Sequence, residues 1–377
     1  MWWMSRAGHP IQAVVRCITG NVNETMNRKR YLTYGMWVGL MTVITLLLQG
    51  CSQDATSPDQ QQLGTSMQLS GVTRTGSTET VTDAHIRVFL THGETVTQGL
   101  FTYNNQGEWN STVKVEAGNT YHVYGYMPSD IATTSEVTVS GTVATMTLNG
   151  LKAVSDQDVC VLVGIQRVTT PDAAKSVVEG NYTYEAGAEG TNYAYVLMDH
   201  LYASLKASFS VNVDYAALRQ IYLKQVTLTS DDATVKAVIT FTDGSGLTGT
   251  NVTMTKVTPA TEGSATAILP NIDSGKTGTR LLTSAIGSCD VSFYFAPLLF
   301  GIDDQVKVKS TYDVYDMKGN LVRSDCTAEN NLKFSKIFGS DVTITRGNQY
   351  QLKMTVNPTY LYMLSEPDLD NPTVSVE

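Results

Sequence analysis

Several short stretches carry residue types that catalysis or ligand binding uses. Gly244-Ser245-Gly246-Leu247-Thr248-Gly249 has the glycine spacing that lets a backbone approach a pyrophosphate, a chemistry that needs a helix N-terminus directly after the loop. The residues after it, Asn251–Val257, alternate as a strand, so the stretch reads as a turn. Gly275-Lys276-Thr277 has the ending of a phosphate-binding loop, but Pro270 stands where the first glycine belongs and removes a backbone donor. Ser111-Thr112-Val113-Lys114 has a nucleophile and a base three residues apart, which on the strand expected there point to opposite faces. His85, His92, His122 and His200 come after residue 50 without H-E-x-x-H spacing, and no cysteine partner is expected for them. Asp231-Asp232 and Asp303-Asp304 lack the frame of a calcium loop and read as solvated turns. Cys160, Cys289 and Cys326 are too far apart for a zinc pattern and allow at most one disulfide. Cys160, inside Val159-Cys160-Val161-Leu162-Val163, reads as a small buried apolar residue. No catalytic residue, cofactor or metal is expected.

The cysteine with a legible role is Cys51. Arg28-Lys29-Arg30 is followed by an apolar run from Met36 to Leu48 and then by Gln49-Gly50-Cys51. A basic zone, a short apolar zone and a small residue before a cysteine make a secretory leader, and the run is shorter than the roughly 20 residues a membrane span needs. Leu48-Gln49-Gly50-Cys51 resembles a bacterial lipobox, although Gln49 is bulkier and more polar than that pattern prefers. Translation starts at Met1 or at Met26; a leader beginning at Met26 has ordinary length. Removal of residues 1–50 takes away five basic residues and one acidic one, moving the net charge from −9 to −13. Such a surface repels phosphates, and no nucleic-acid partner is expected. Acyl chains on Cys51 would bury methylenes at about 0.8 kcal/mol each and tie the chain to a membrane.

The elements beyond the leader are strands. Charged residues make up 16% of the chain and apolar ones 42%, enough for a packed core. The 50 threonines and 19 tyrosines favour pleated surfaces. Residues 51–64 are polar and without period, a tether. Seven β-rich runs come next: Met67–Val72, His85–Leu90, Trp109–Val115, Tyr121–Met127, Glu136–Ser140, Val143–Leu148 and Val159–Ile165. Their spacing predicts a β-sandwich over 65–193. Glycines and Pro171 interrupt the rhythm between 171 and 193. A second series, from Leu201–Val213 to Tyr350–Val356, predicts another sandwich over 194–377, with one short helix at Tyr215–Ile221. The fold class is thus all-β, two tandem transthyretin- or Ig-like sandwiches after a leader and tether. Tight reversals are expected at Met317–Asn320 and Arg346–Gln349.

Three stretches are similar to the fimbrillin family, the type V pilus lipoproteins of Gram-negative anaerobes. They are Val72-Thr73-Arg74-Thr75-Gly76, then Tyr103–Trp109 continued through Tyr121–Pro128, and Met198–Phe209. The resemblance implies a structural subunit of a surface fimbria, whether stem, tip or anchor, located at the outer membrane through lipid on Cys51. Its partners would be other pilin subunits, joined by strand donation, and an Arg-specific protease acting at Arg74-Thr75. For Arg74 the alternative is an exposed loop arginine with no role. The C-terminal region has two readings as well: a donor strand ending in Val374-Ser375-Val376, or a segment Tyr360–Leu364 that closes its own sheet ahead of a solvated tail. A rival function, surface glycan binding, would need exposed aromatic platforms, for which Tyr182, Tyr184, Tyr193 and Tyr195 are the cluster.

The leader yields a direct test. Mass spectrometry of membrane-extracted protein is expected to find an acylated N-terminal Cys51, and Cys51→Ala is expected to move the protein out of the membrane fraction. An unmodified Cys51 would refute the lipobox reading.

Overall fold

The structure, a computed structural model, describes residues 64–74, 84–104, 106, 108–231, 234–257, 262–297, 304–338, 344–357 and 373–376. Cys51, Thr75 and Tyr360–Leu364 lie outside the described residues. In chain order the first thirteen strands are β1 (Thr65–Ser66), β2 (Gln68–Arg74), β3 (His85–His92), β4 (Thr95–Tyr103), β5 (Trp109–Ser111), β6 (Lys114–Val115), β7 (Thr120–Met127), β8 (Thr134–Ser140), β9 (Val143–Lys152), β10 (Val154–Ser155), β11 (Cys160–Val168), β12 (Thr183–Glu185) and β13 (Tyr193–His200). After them come β14 (Ala203–Val211), the helical turn α1 (Val213–Ala216), β15 (Arg219–Ser230), β16 (Thr234–Phe241), β17 (Val252–Lys256), β18 (Gly263–Ile268) and β19 (Thr279–Arg280). The chain continues with β20 (Cys289–Phe295), β21 (Gln305–Asp316), β22 (Leu321–Lys333), the turn α2 (Phe334–Phe338), β23 (Gln349–Asn357) and β24 (Thr373–Val376).

The fold is all-β, as the composition predicts. An eight-stranded sheet runs β2-β13-β11-β7-β3-β4-β5, with β12 beside β7; a four-stranded sheet runs β17-β16-β9-β8. There are also two five-stranded sheets, β10-β20-β14-β23-β24 and β18-β15-β21-β22 with β19 beside β15. Period-two burial sets their faces: Ala203, Leu205, Ala207, Phe209 and Val211 of β14 point inward between less buried neighbours, as do Val235, Ala237, Ile239 and Phe241 of β16. In β11, Cys160 to Ile165 are buried without alternation, the pattern of a strand covered on both faces. The expected reversals form, with Gly319 and Gly347 at φ of 85° and 71°.

Three elements differ from the sequence reading. β4, rich in threonine, reads as a connection in the sequence, yet Gly93 at φ 60° turns the chain so that Thr95–Tyr103 pairs with β3 along its full length. The expected helix at Tyr215–Ile221 shrinks to α1, because Arg219 and Gln220 already belong to β15 and pair with Asp316 and Tyr315. A ladder of backbone bonds outweighs two turns of helix propensity. Third, β13 starts at the expected boundary residue Tyr193 but pairs with β2 and β11.

Packing joins the two halves of the sequence. β9 pairs with β16, so the four-stranded sheet draws two strands from before residue 193 and two from after it. Phe241 of β16 lies against Tyr124 and Tyr182, with ring centroids 4.7 and 5.3 Å away. The Tyr182 hydroxyl donates to the Ser245 carbonyl oxygen at 3.0 Å. Phe241→Ala is expected to cost about 3–5 kcal/mol, since the emptied volume faces two buried tyrosines. Chemical denaturation checks this through a lowered midpoint.

Candidate functional site

Two sheet edges stand out as places where another chain could act. The first is formed by β2, which borders the eight-stranded sheet and is bonded to β13 on one side. The pairing is parallel, from Gln68 opposite Tyr193 to Arg74 opposite Met198. Met67, Leu69 and Val72 are buried, so β1 and β2 cover apolar core as well as saturating backbone groups. Gly71 lies where a Cβ would sit 2.8 Å from the Tyr195 ring, which explains a glycine in the middle of this strand. The second edge is formed by β24, antiparallel to β23 with Met354 opposite Val376. The C-terminal residues 373–376 therefore make a strand of their own chain's sheet.

Arg74 is the last residue of β2 and not a turn residue. Its guanidinium Nη1 lies 3.6 Å from Asp158 Oδ2, and its side chain is 33% exposed. Asp158 lies just ahead of β11, and Cys160 is the first residue of that strand. Two positions apart on an extended chain, their side chains share a face. Cys160 also sits directly opposite His200, the last residue of β13. The result is a compact group: His200 Nδ1 to Asp158 Oδ2 is 2.7 Å, Cys160 Sγ to the same oxygen 3.4 Å, and Sγ to Nδ1 3.7 Å. Asp158 is only 7% exposed. Its Oδ1 and the Arg74 Nε are buried without a hydrogen-bond partner. Arg346 steadies the strand end, its Nη1 donating to Asp199 Oδ2 at 2.6 Å and to the His200 carbonyl oxygen at 3.0 Å.

The electrostatics arise from burial and from Asp158. The hydrogen bond to Asp158 raises the His200 pKa above its ordinary value, against the opposing effect of burial. Burial, reinforced by Asp158, pushes the Cys160 thiol well above the usual thiol range, so it is a protonated thiol near neutrality and a poor nucleophile. The His200–Cys160 contact is not legible in the sequence, because 40 residues separate the two and only the β11–β13 register joins them.

The other sequence candidates take ordinary places. Gly244–Gly249 is a loop leading into β17. Lys276 donates to Gln220 Oε1 and the Tyr222 hydroxyl and lies over the Tyr222 and Tyr315 rings. Ser111 and Lys114 fall on different strands, β5 and β6. Cys160, Cys289 and Cys326 are buried, and none of them forms a disulfide among the described residues. Of the tyrosine cluster, Tyr182 and Tyr184 are core residues.

No protein-family model matches the chain, and no curated protein matches its sequence. Among solved structures it is similar to a candidate cell adhesion protein from Bacteroides uniformis, at 11% identity and a TM-score of 0.40, covering 84% of this chain and 97% of that one. It is also similar to a fimbrial protein from Bacteroides vulgatus, at 12% identity and 0.35, covering 83% and 98%. A third likeness is to the fimbrial anchor protein Mfa2 from Porphyromonas gingivalis, at 13% identity and 0.28, covering 82% and 95%. At these scores the likenesses assign neither a function nor a ligand, and any functional reading rests on the chain's own residues.

Asp158→Asn weakens the tie between β2 and the β11–β13 strand ends. Hydrogen exchange is expected to speed up at the amides of 68–74 while those of β14 against β23 keep their protection. Equal acceleration at both would show that Asp158 has no special hold on β2.

Proposed function

We propose that this chain is a structural subunit of a cell-surface fimbria, assembling by strand donation between subunits and supporting adhesion. The observation that carries the reading is β2: a short edge strand, held by one parallel partner, that seals buried apolar residues and ends at an arginine. If an Arg-specific protease cuts between Arg74 and Thr75, residues up to 74 are free to leave. The edge of β13 is then unpaired along an apolar groove, a surface that demands another strand.

The donor in this reading is the C-terminal strand. β24 spans four residues at a sheet edge, and moving it into the groove that β2 vacates on a neighbour trades one backbone ladder for another. Net stabilisation then comes from the groove vacated by β2. Lipid on Cys51 would place a subunit that keeps it at the outer membrane. The fimbrial role named for the Bacteroides vulgatus and Porphyromonas gingivalis proteins is of the same kind.

Treatment of the purified precursor with an Arg-specific protease, followed by N-terminal sequencing and electron microscopy, tests the whole scheme. Cleavage after Arg74 and filaments are expected together, and Arg74→Ala is expected to abolish both. Filaments with an intact N-terminus in that variant would remove the processing step. Deletion of residues 358–377 is expected to leave a folded monomer that no longer joins partners; a truncated chain that still polymerises would refute donation by this segment.

A further inference from the structure

The Asp158–Cys160–His200 group does not belong to the strand-exchange reading, yet its donor atoms are arranged for another task. We propose that these three residues form a binding site for a borderline-soft divalent transition metal ion of the zinc type, with the Arg74 guanidinium as the competing occupant. A thiolate, an imidazole nitrogen and a carboxylate oxygen are a ligand set that such ions take, and a fourth position would remain for water.

Geometry supports the assignment. Around a tetrahedral zinc ion, sulfur lies about 3.5 Å from each nitrogen or oxygen ligand, given metal bonds of about 2.3 and 2.0 Å. Cys160 Sγ is 3.4 Å from Asp158 Oδ2 and 3.7 Å from His200 Nδ1, close to that spacing without rearrangement. The Nδ1 to Oδ2 distance of 2.7 Å is that of a hydrogen bond and must lengthen by about half an ångström or more as the ion replaces the proton. The backbone register fixes two of the ligands, Cys160 and His200, which are paired opposite each other, and Asp158 is two residues before Cys160. Such a scaffold is more precise than a loop.

An independent sign is the unmet bonding capacity of Asp158. Its carboxylate is more than nine-tenths buried, and Oδ1 has no hydrogen-bond partner, an arrangement that costs free energy unless something else satisfies it. Arg74 compensates the charge at 3.6 Å without making a hydrogen bond, and its Nε is unpartnered as well. A guanidinium at that distance stands where a small cation does better. With side chains 33% and 29% exposed, Arg74 and His200 also line the way in from solvent.

The protons balance simply. Binding of a divalent ion releases the Cys160 thiol proton to solvent, and the proton on His200 Nδ1 is lost while Nε2 carries the remaining one. The ion with one thiolate and one carboxylate is then locally neutral, so the nearby Arg74 charge is no longer needed and swings outward. If residues up to 74 depart after cleavage, the guanidinium leaves with them and the site opens; this last link alone rests on the fimbrial reading.

Cobalt titration of the reduced full chain tests the site, because a cobalt-bound thiolate gives a charge-transfer absorption that reports Cys160 directly. One equivalent is expected to produce that band, and zinc is expected to displace it. Arg74→Gln is expected to tighten binding at least tenfold, while Cys160→Ser and His200→Gln are expected to lose the band. Circular dichroism identifies variants that fail to fold; His200→Gln, at a half-buried position, provides the second variant. Absence of the band in the folded wild-type and Arg74→Gln chains would overturn the proposal, as would its persistence in folded Cys160→Ser, where Cys17, Cys51, Cys289 or Cys326 would be the thiolate. Tight binding by Arg74→Gln together with failure of cleavage at Arg74 would keep the metal site and discard the processing step.

Discussion

The parallel ladder between β2 and β13 is the interaction that closes the eight-stranded sheet, and both the edge it covers and the charged corner at its end depend on it. Backbone N–H and C=O groups along Tyr193–Met198 need partners, and β2 supplies them from a segment over a hundred residues earlier. Parallel strands cannot be joined by a tight turn, so the closing strand is an addition to the sheet and not a hairpin arm. A strand of this kind is separable from the remainder: its loss removes Leu69 and Val72 from the core but breaks no other pairing in the eight-stranded sheet.

The same constraint recurs at the other end of the chain. β14 and β23 form the second parallel pair, and β24 caps the outer edge of β23. β2 and β24 thus both complete edges. Between them, β9 with β16, and Phe241 with Tyr124 and Tyr182, lock the two halves of the sequence by backbone ladder and aromatic packing. Neither β2 nor β24 takes part in these central contacts.

Charge enters at the place where β2 ends. Arg74 meets Asp158 where the ends of β2, β11 and β13 converge, and His200 shares the same carboxylate. One buried acid with two basic neighbours makes the fate of β2, the charge of His200 and the cation-binding capacity of the group aspects of a single local balance. Arg346, from the reversal before β23, reaches the adjacent Asp199 and couples this corner to the second parallel pair.

Residue types and periodicity determined the all-β class, most strands and the turns at Gly319 and Gly347, and they carry the expectation of a leader that ends at Cys51. These are local matters: alternation decides burial within a strand, glycine supplies positive φ, and a basic and an apolar zone are read directly from composition. β4 escaped because its threonines and glutamine carry little apolar contrast, and its identity comes from pairing with β3. The group at Asp158 escaped for a stronger reason. Cys160 in an apolar run is indistinguishable from a core residue, and His200 is forty positions away; only the register of β11 on β13 sets them face to face, and only the end of β2 brings Arg74 beside them. Sequence thus determined which segments are strands, while the tertiary structure decided which strands are neighbours, because long-range pairing is chosen by the whole core and not by any window of residues.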